Sequence, residues 1–231
     1  MATKAFSFLG WSGVALLLLV ACGPSSQRDQ AVLREQQWVR LGPGGGGSTF
    51  IPSFSYASPD HFLIRCDMTG SYLTKDGGAS YSQVNFANGA SAFAYDPKDP
   101  NIVYIGSAFL NRSSDGGATW ERIFPLEKDI VKERFFGDHA NYSIETTDTA
   151  LNAGARSVGS IRVDASRPGW VYFSMGPVFF YSGDNGKSWR SHKIDQEIHH
   201  LYTNNSSAKD EVYIFTGESI YIFNKSSNEY T

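Results

Sequence analysis

The stretch "TKDGGASY", residues 74–81, sets an aspartate between a hydroxyl residue and a pair of glycines and closes on an aromatic ring. It returns as "SSDGGATW" at 113–120 and as "SGDNGKSW" at 182–189. The common pattern is a hydroxyl residue, x, Asp, x, Gly, x, Ser/Thr, aromatic. The aspartates stand at 76, 115 and 184, so the gaps are 39 and 69 residues. Self-similarity at a fixed period marks a repeat architecture, and the second gap is one period plus about 30 residues. Those extra residues fall in 125–156, which shows no strand alternation and is expected to be an insertion loop.

Each repeat is introduced by a β-rich phrase behind turn residues: "SPDHFLIRCD", "DPKDPNIVYIGS" and "ASRPGWVYFSM", with "SAKDEVYIFTG" as a fourth. Val, Ile, Tyr and Phe between Pro, Asp and Gly punctuation predict short antiparallel strands. A period of about 40 residues holding several such strands is the blade of a β-propeller. The predicted fold is all-β: a propeller of four-stranded blades, with about four repeats present. The fourth repeat reads "FNKSSNEYT" where a turn motif is due, and Thr231 falls where its last strand should begin. An incomplete propeller is therefore expected, completed by the remainder of a longer chain or by a partner subunit, because closure removes exposed edges.

The three turn motifs read as structural. Asp76, Asp115 and Asp184 can accept backbone N–H groups of their own turns. Gly78, Gly117 and Gly186 supply left-handed backbone freedom. Tyr81, Trp120 and Trp189 are expected to bury rings between blades. The set resembles the Asp-box, or BNR repeat, of sialidases, sortilin-type receptors and certain glycoside hydrolases. A calcium loop would need more oxygen ligands than "DGGAS" carries.

The N-terminus "MATKAFSFLGWSGVALLLLVAC" has the layout of an export signal: one lysine, an apolar run, small residues, then a cysteine. Leu19-Val20-Ala21-Cys22 resembles the bacterial lipobox, which implies cleavage after residue 21 and lipid attachment at Cys22. Domain bounds are then 1–21 for the signal, 22–37 for the lipidated cysteine and a polar tether, and 38–231 for the propeller portion. Gly23 follows the cysteine in place of an inner-membrane-retaining aspartate, which points to the outer membrane or cell surface. With Cys22 acylated, Cys66 has no disulfide partner in the chain. A net charge of −3 gives no basic face for nucleic acid. No cofactor or metal site is expected: "GPGGGG" (42–47) lacks the lysine of a phosphate loop, and "GDHAN" (137–141) and His199-His200 form no defined ligand set.

One position breaks the repeat. Aligned strand on strand, "LIRCD" (63–67) lies against "VYIGS" (103–107) and "VYFSM" (171–175), so Arg65 and Asp67 replace Ile or Phe, and Ser or Met. Alternation puts both on one face. A buried salt bridge and a functional pair both explain them. The stretch "WVRLGPGGGGSTFIPSFSYASPDHFLIRCDMTGSY" resembles the start of xyloglucanase-type enzymes of glycoside hydrolase family 74. The resemblance rests on Trp38, Gly44 to Gly47, Pro59, Arg65, Asp67, Gly70 and Tyr72. It implies an inverting endo-hydrolase of β-glucan with Asp67 as general base, and Arg65, Gly45, Gly46 and Tyr72 beside the polysaccharide. The second carboxylate of that family lies several hundred residues further on. Asp138 and Glu145, two acids of the predicted insertion, are the candidates in this chain for that role, though nothing in the sequence places them at a cleft. The other reading is a non-catalytic, sortilin-like surface propeller that binds glycan or protein. The sialidase arginine before Ile-Pro is not seen, since Thr49 and Phe50 precede Ile51-Pro52.

Overall fold

The computed structural model describes residues 42–43, 48–67, 70–137, 141–148, 157–204 and 210–231. All of them lie in the compact unit Leu41–Thr231. Four four-stranded antiparallel sheets follow one another along the described chain, each with its strands in sequence order. The first is β1 (Thr49–Phe54), β2 (Phe62–Cys66), β3 (Gly70–Thr74) and β4 (Ser82–Asn85). The second is β5 (Ala92–Tyr95), β6 (Val103–Gly106), β7 (Leu110–Ser113) and β8 (Glu121–Phe124). After a hairpin of β9 (Ile130–Phe136) and β10 (Asn141–Thr146) comes the third: β11 (Val158–Val163), β12 (Val171–Met175), β13 (Val178–Ser182) and β14 (Arg190–Lys193). The fourth is β15 (Ile198–Thr203), β16 (Glu211–Thr216), β17 (Ile220–Asn224) and β18 (Glu229–Tyr230). These are propeller blades. Their first strands, β1, β5, β11 and β15, meet in succession and jointly line one central cavity.

The core lies between blades. Leu63 and Leu73 of the first blade bury against Val103 and Ile105 of the second. Tyr104 and Leu110 face Ile161 and Phe173 of the third, and Tyr172 and Phe179 face Leu201 and Phe223 of the fourth. The second and third blades thus alternate their apolar residues between two neighbours, which is why central strands such as β12 (Val171 to Met175) are buried at every position.

The aspartate turns join third to fourth strands in the first three blades. In each, the opening hydroxyl of Thr74, Ser113 or Ser182 donates to Oδ1 of Asp76, Asp115 or Asp184 at 2.7–2.8 Å. The same hydroxyl accepts the N–H of Gly78, Gly117 or Gly186. The later Ser80, Thr119 or Ser188 donates its N–H to Oδ1 and its hydroxyl to Oδ2. The two residues after each aspartate have positive φ, which explains Gly-Gly twice and the tolerated Asn185-Gly186 once. Bonds from the neighbouring hydroxyl, above all Ser80 to Asp76, hold the Asp76 carboxyl down at about 2.

The turns of the second and third blades also seat each on the blade before. A Cβ on Gly117 would stand 2.3 Å from Leu73 of the first blade, and one on Gly186 would stand 2.7 Å from Ile123 of the second. Trp189 donates its indole N–H to the Ile123 carbonyl at 2.8 Å, and Trp120 meets Phe86 edge to face. Tyr81 differs from expectation: its described ring contacts are Phe62 and Tyr72 of its own blade.

Two expectations are corrected. Residues 125–156 are not strandless, since β9 and β10 pair from Ile130 to Thr146. The hairpin escapes an alternation test because β9 is not buried at any position, so no face writes an apolar pattern. It is held by Asn88, whose side chain exchanges two hydrogen bonds with the Tyr142 backbone, and by Phe109 against the Tyr142 ring. Nor does the fourth blade stop short of its last strand: Phe223 pairs with Tyr230 and Asn224 with Glu229. Its turn lacks the aspartate, and Asn224 Oδ1 instead accepts the N–H groups of Ser226 and Ser227.

Lys225 in that turn does what the aspartate turns do elsewhere, tying a blade to its predecessor. Its ammonium lies 2.6 Å from Asp164 of the third blade, and both side chains are fully buried. Tyr172 and Ser166 also donate to this carboxylate. Burial pushes the Asp164 carboxyl up, but the bonds from Lys225 and Ser166 outweigh it and hold the group below its usual range. Removing one partner of a buried pair leaves the other uncompensated. Lys225→Ala is therefore expected to lower the unfolding free energy by about 3–5 kcal/mol in denaturant titration; a loss below about 1 kcal/mol would show that the pair does not secure this interface.

Candidate functional site

Strand pairing fixes which repeat positions correspond. Phe62 pairs with Thr74, Val103 with Ser113 and Val171 with Ser182, and these three hydroxyl residues open the three turns. The equivalents of Arg65 are therefore Gly106 and Ser174, and those of Asp67 are Ala108 and Gly176. The strand alignment made from sequence is one residue out, and a one-residue slip exchanges the faces of a strand. Arg65 belongs with Leu63 on the face turned to the second blade, and not with Ile105 and Phe173.

The corrected register sharpens the anomaly. At Gly106 a Cβ would stand 2.6 Å from Val158, so the second interface has no room for a side chain there. At the first interface Ala90 holds the place of Val158, two residues before Ala92 as Val158 is two before Ser160. The smaller alanine coincides with the larger Arg65. This arginine is half-buried, and its Nε is buried without a hydrogen-bond partner.

Asp67 is exposed where the chain leaves β2. Its N–H donates to the Ser48 carbonyl at 3.0 Å, and its Oδ1 accepts from the Cys66 thiol at 3.3 Å. Thr49 pairs with Cys66, so Asp67 lies at the end of the blade where β1 begins, opposite the aspartate turns. The β9–β10 hairpin is at this same end, because it packs on Phe109 of the β6–β7 turn and on the β4–β5 connector. Cys66 is a buried free thiol.

The structure does not bring all the sequence-derived residues together. Tyr72 pairs with Ile64 and Gln83 on the other face of the sheet from Arg65, in edge contact with Tyr81 at 6.4 Å. Glu145 lies on β10, and Asp138, Gly45, Gly46 and Cys22 lie outside the described residues. Phe179 and Phe180 are buried core, and Trp170 stacks on Tyr181. Sequence reasoning passed over Arg162, which lies on β11 beside the central cavity and contacts His200 across the blade boundary. Its signal was available: it is the one charged side chain among the equivalent positions Ser53, Ala94, Arg162 and Tyr202 of the four innermost strands.

No protein-family model and no curated protein sequence matches the chain. Among solved structures, the fold is similar to the glycoside hydrolase family 74 enzyme of Niastella koreensis, with a TM-score of 0.57 and 14% identity over 79% of this chain and 29% of that one. The family 74 xyloglucanase of Xanthomonas campestris gives 0.56 and 16% over 78% of this chain and 30% of that one. A computationally designed protein, Ika4, gives 0.54 and 11% over 82% of this chain and 98% of its own. At these identities the likeness is one of fold, a β-propeller. The chain spans less than a third of the length of the two enzymes.

Proposed function

We propose that this chain is the N-terminal propeller portion of a surface-anchored glycoside hydrolase of family 74 type, acting on β-glucan chains, with Asp67 as general base. The observation that carries this is the pair Arg65 and Asp67, standing where sister blades have only Gly106, Ser174, Ala108 and Gly176. Burying a charged side chain without a partner costs free energy, and Arg65 carries a buried, unpartnered Nε where the sister blades have Gly106 and Ser174. An exposed carboxylate at a strand end is accessible to a polymer lying across the blades. The ordered matches from Trp38 to Tyr72 and the similar propellers of family 74 enzymes support the same reading. On this reading the three aspartate turns are Asp-boxes and serve the scaffold.

Inverting hydrolysis needs a second carboxylic acid roughly 6.5–9.5 Å from the base, with a water between. In this proposal it comes from a further propeller of the same protein or from a partner. Asp67 then takes a proton from that water, which attacks the anomeric carbon as the second acid protonates the leaving oxygen. With the native gene product, Asp67→Asn is expected to reduce hydrolysis of xyloglucan or mixed-linkage glucan by at least about 10²-fold without shifting the melting temperature. Asp76→Asn is expected to lower the melting temperature and leave the rate per folded molecule intact. Full activity in Asp67→Asn would overturn the assignment and favour a non-catalytic glycan-binding propeller.

Export and anchoring belong to the proposal. Cleavage before Cys22 and its acylation would hold the propeller at the outer membrane or cell surface by a polar tether. Metabolic labelling with palmitate is expected to mark the wild-type protein and not Cys22→Ser. An unlabelled wild-type protein would remove the anchor.

A further inference from the structure

The central cavity has a volume of about 500 Å³ and is lined by residues of β1, β5, β11 and β15 and of the loops that follow them. That lies within the roughly 300–1,000 Å³ of ordinary small-ligand sites. It opens at the aspartate-turn end, away from Asp67, since its lining runs from Pro52 to Tyr56 and from Tyr202 to Thr203, where the innermost strands finish.

Its chemistry is asymmetric. Along the row Ser53, Ala94, Arg162 and Tyr202, two blades contribute small residues, one a phenol and one a guanidinium. Arg162 donates to its neighbour's carbonyl, Ile161 O, at 2.6 Å and to Nε2 of His200 at 2.6 Å. The second bond requires a neutral imidazole, and burial and the arginine's charge both hold the His200 pKa below its ordinary value. Two acceptors leave part of a five-donor fork unused. Among the described residues no ion pair joins a carboxylate to Arg162, and burial acts against its charge and lowers its pKa. Two other cations at blade boundaries are matched: Lys225 with Asp164 and Arg167 with Asp210. Tyr56 and Tyr202, which also line the cavity, are 87% and 51% exposed, so their rings are open to a ligand.

We propose that this cavity binds a carboxylate-bearing ligand with a ring-sized body, of the class of sugar acids, with Arg162 holding the carboxylate and Tyr56 and Tyr202 flanking the ring. A planar guanidinium with spare N–H donors pairs with carboxylate in a fixed geometry, and phenol rings give a sugar an apolar face at small entropic cost. The site stands at the opposite end from Asp67 and does not depend on any hydrolytic role.

The test uses the full chain with glucuronate, acetate and methyl glucoside as probes. Binding is followed by calorimetry and by the NMR signals of the His200 ring. Glucuronate is expected to bind with a millimolar or tighter dissociation constant and to shift the His200 signals, with acetate weaker and methyl glucoside silent. Arg162→Gln should weaken glucuronate at least about tenfold, the scale of one charged hydrogen bond, and Tyr202→Ala by a smaller factor. Asp67→Asn should leave binding unchanged. A melting transition within a few degrees of wild type certifies the fold of each variant; if Arg162→Gln fails this, the wild-type His200 shifts decide alone. The proposal is overturned if glucuronate leaves His200 unmoved, if it binds folded Arg162→Gln as tightly, or if methyl glucoside binds equally well.

Discussion

The structure depends on one local device, the aspartate that closes its own turn. A carboxylate accepting one N–H and two hydroxyls within seven residues fixes the backbone without help from distant parts of the chain. The turn then presents a glycine face to the preceding blade, close enough that Gly117 and Gly186 could not carry even a methyl group without displacing Leu73 and Ile123. Local closure and interblade seating are thus the same structural event. The packing of Leu63 on Ile105 and of Tyr104 on Phe173 lies at the two interfaces so seated.

What was legible in the sequence divides along the same line. The three turns are visible because their chemistry is contained in eight consecutive residues. The blades are visible because strand phrases recur at the turn period. The β9–β10 hairpin was missed because it is exposed along β9 and writes no alternating pattern. β18 was missed because two residues suffice to pair with Phe223 and Asn224. The register of Arg65 was misjudged by one residue because the upstream phrases were aligned by their apolar character. Pairing with Thr74, Ser113 and Ser182 sets the true correspondence. Arg162 and His200 meet across two blades, a proximity that no linear motif encodes.

Charge is distributed with economy across this scaffold. Asp164 and Lys225 are buried as a pair and replace an aspartate turn in the blade that lacks one. Arg65 and Asp67 mark one end of the propeller, and Arg162 marks the cavity that opens at the other. The two ends present different chemistry, a carboxylate at the rim of one and a guanidinium between tyrosines in the other. The two proposed sites are thus separate in the fold, and each has its own test.

The central claim, that the aspartate turns hold the blades, is tested most directly by the acid limb of the stability profile. An aspartate whose folded pKa lies below its unfolded value stabilises the fold above the unfolded pKa, and that stability is lost as pH falls through the folded one. The ordinary value is 3.8; Asp76 and Asp184 are held at about 2, and Asp115, bonded foremost by the Thr119 hydroxyl, is also lowered. At Asp184 burial acts upward and is outweighed by the bonds from Ser188 and Ser182. Stability measured by denaturant titration should therefore fall as pH drops from about 4 towards about 2. Asp→Asn at all three positions should be less stable at neutral pH and lose most of that slope. An unchanged slope in the triple variant, with unchanged neutral stability, would contradict the account.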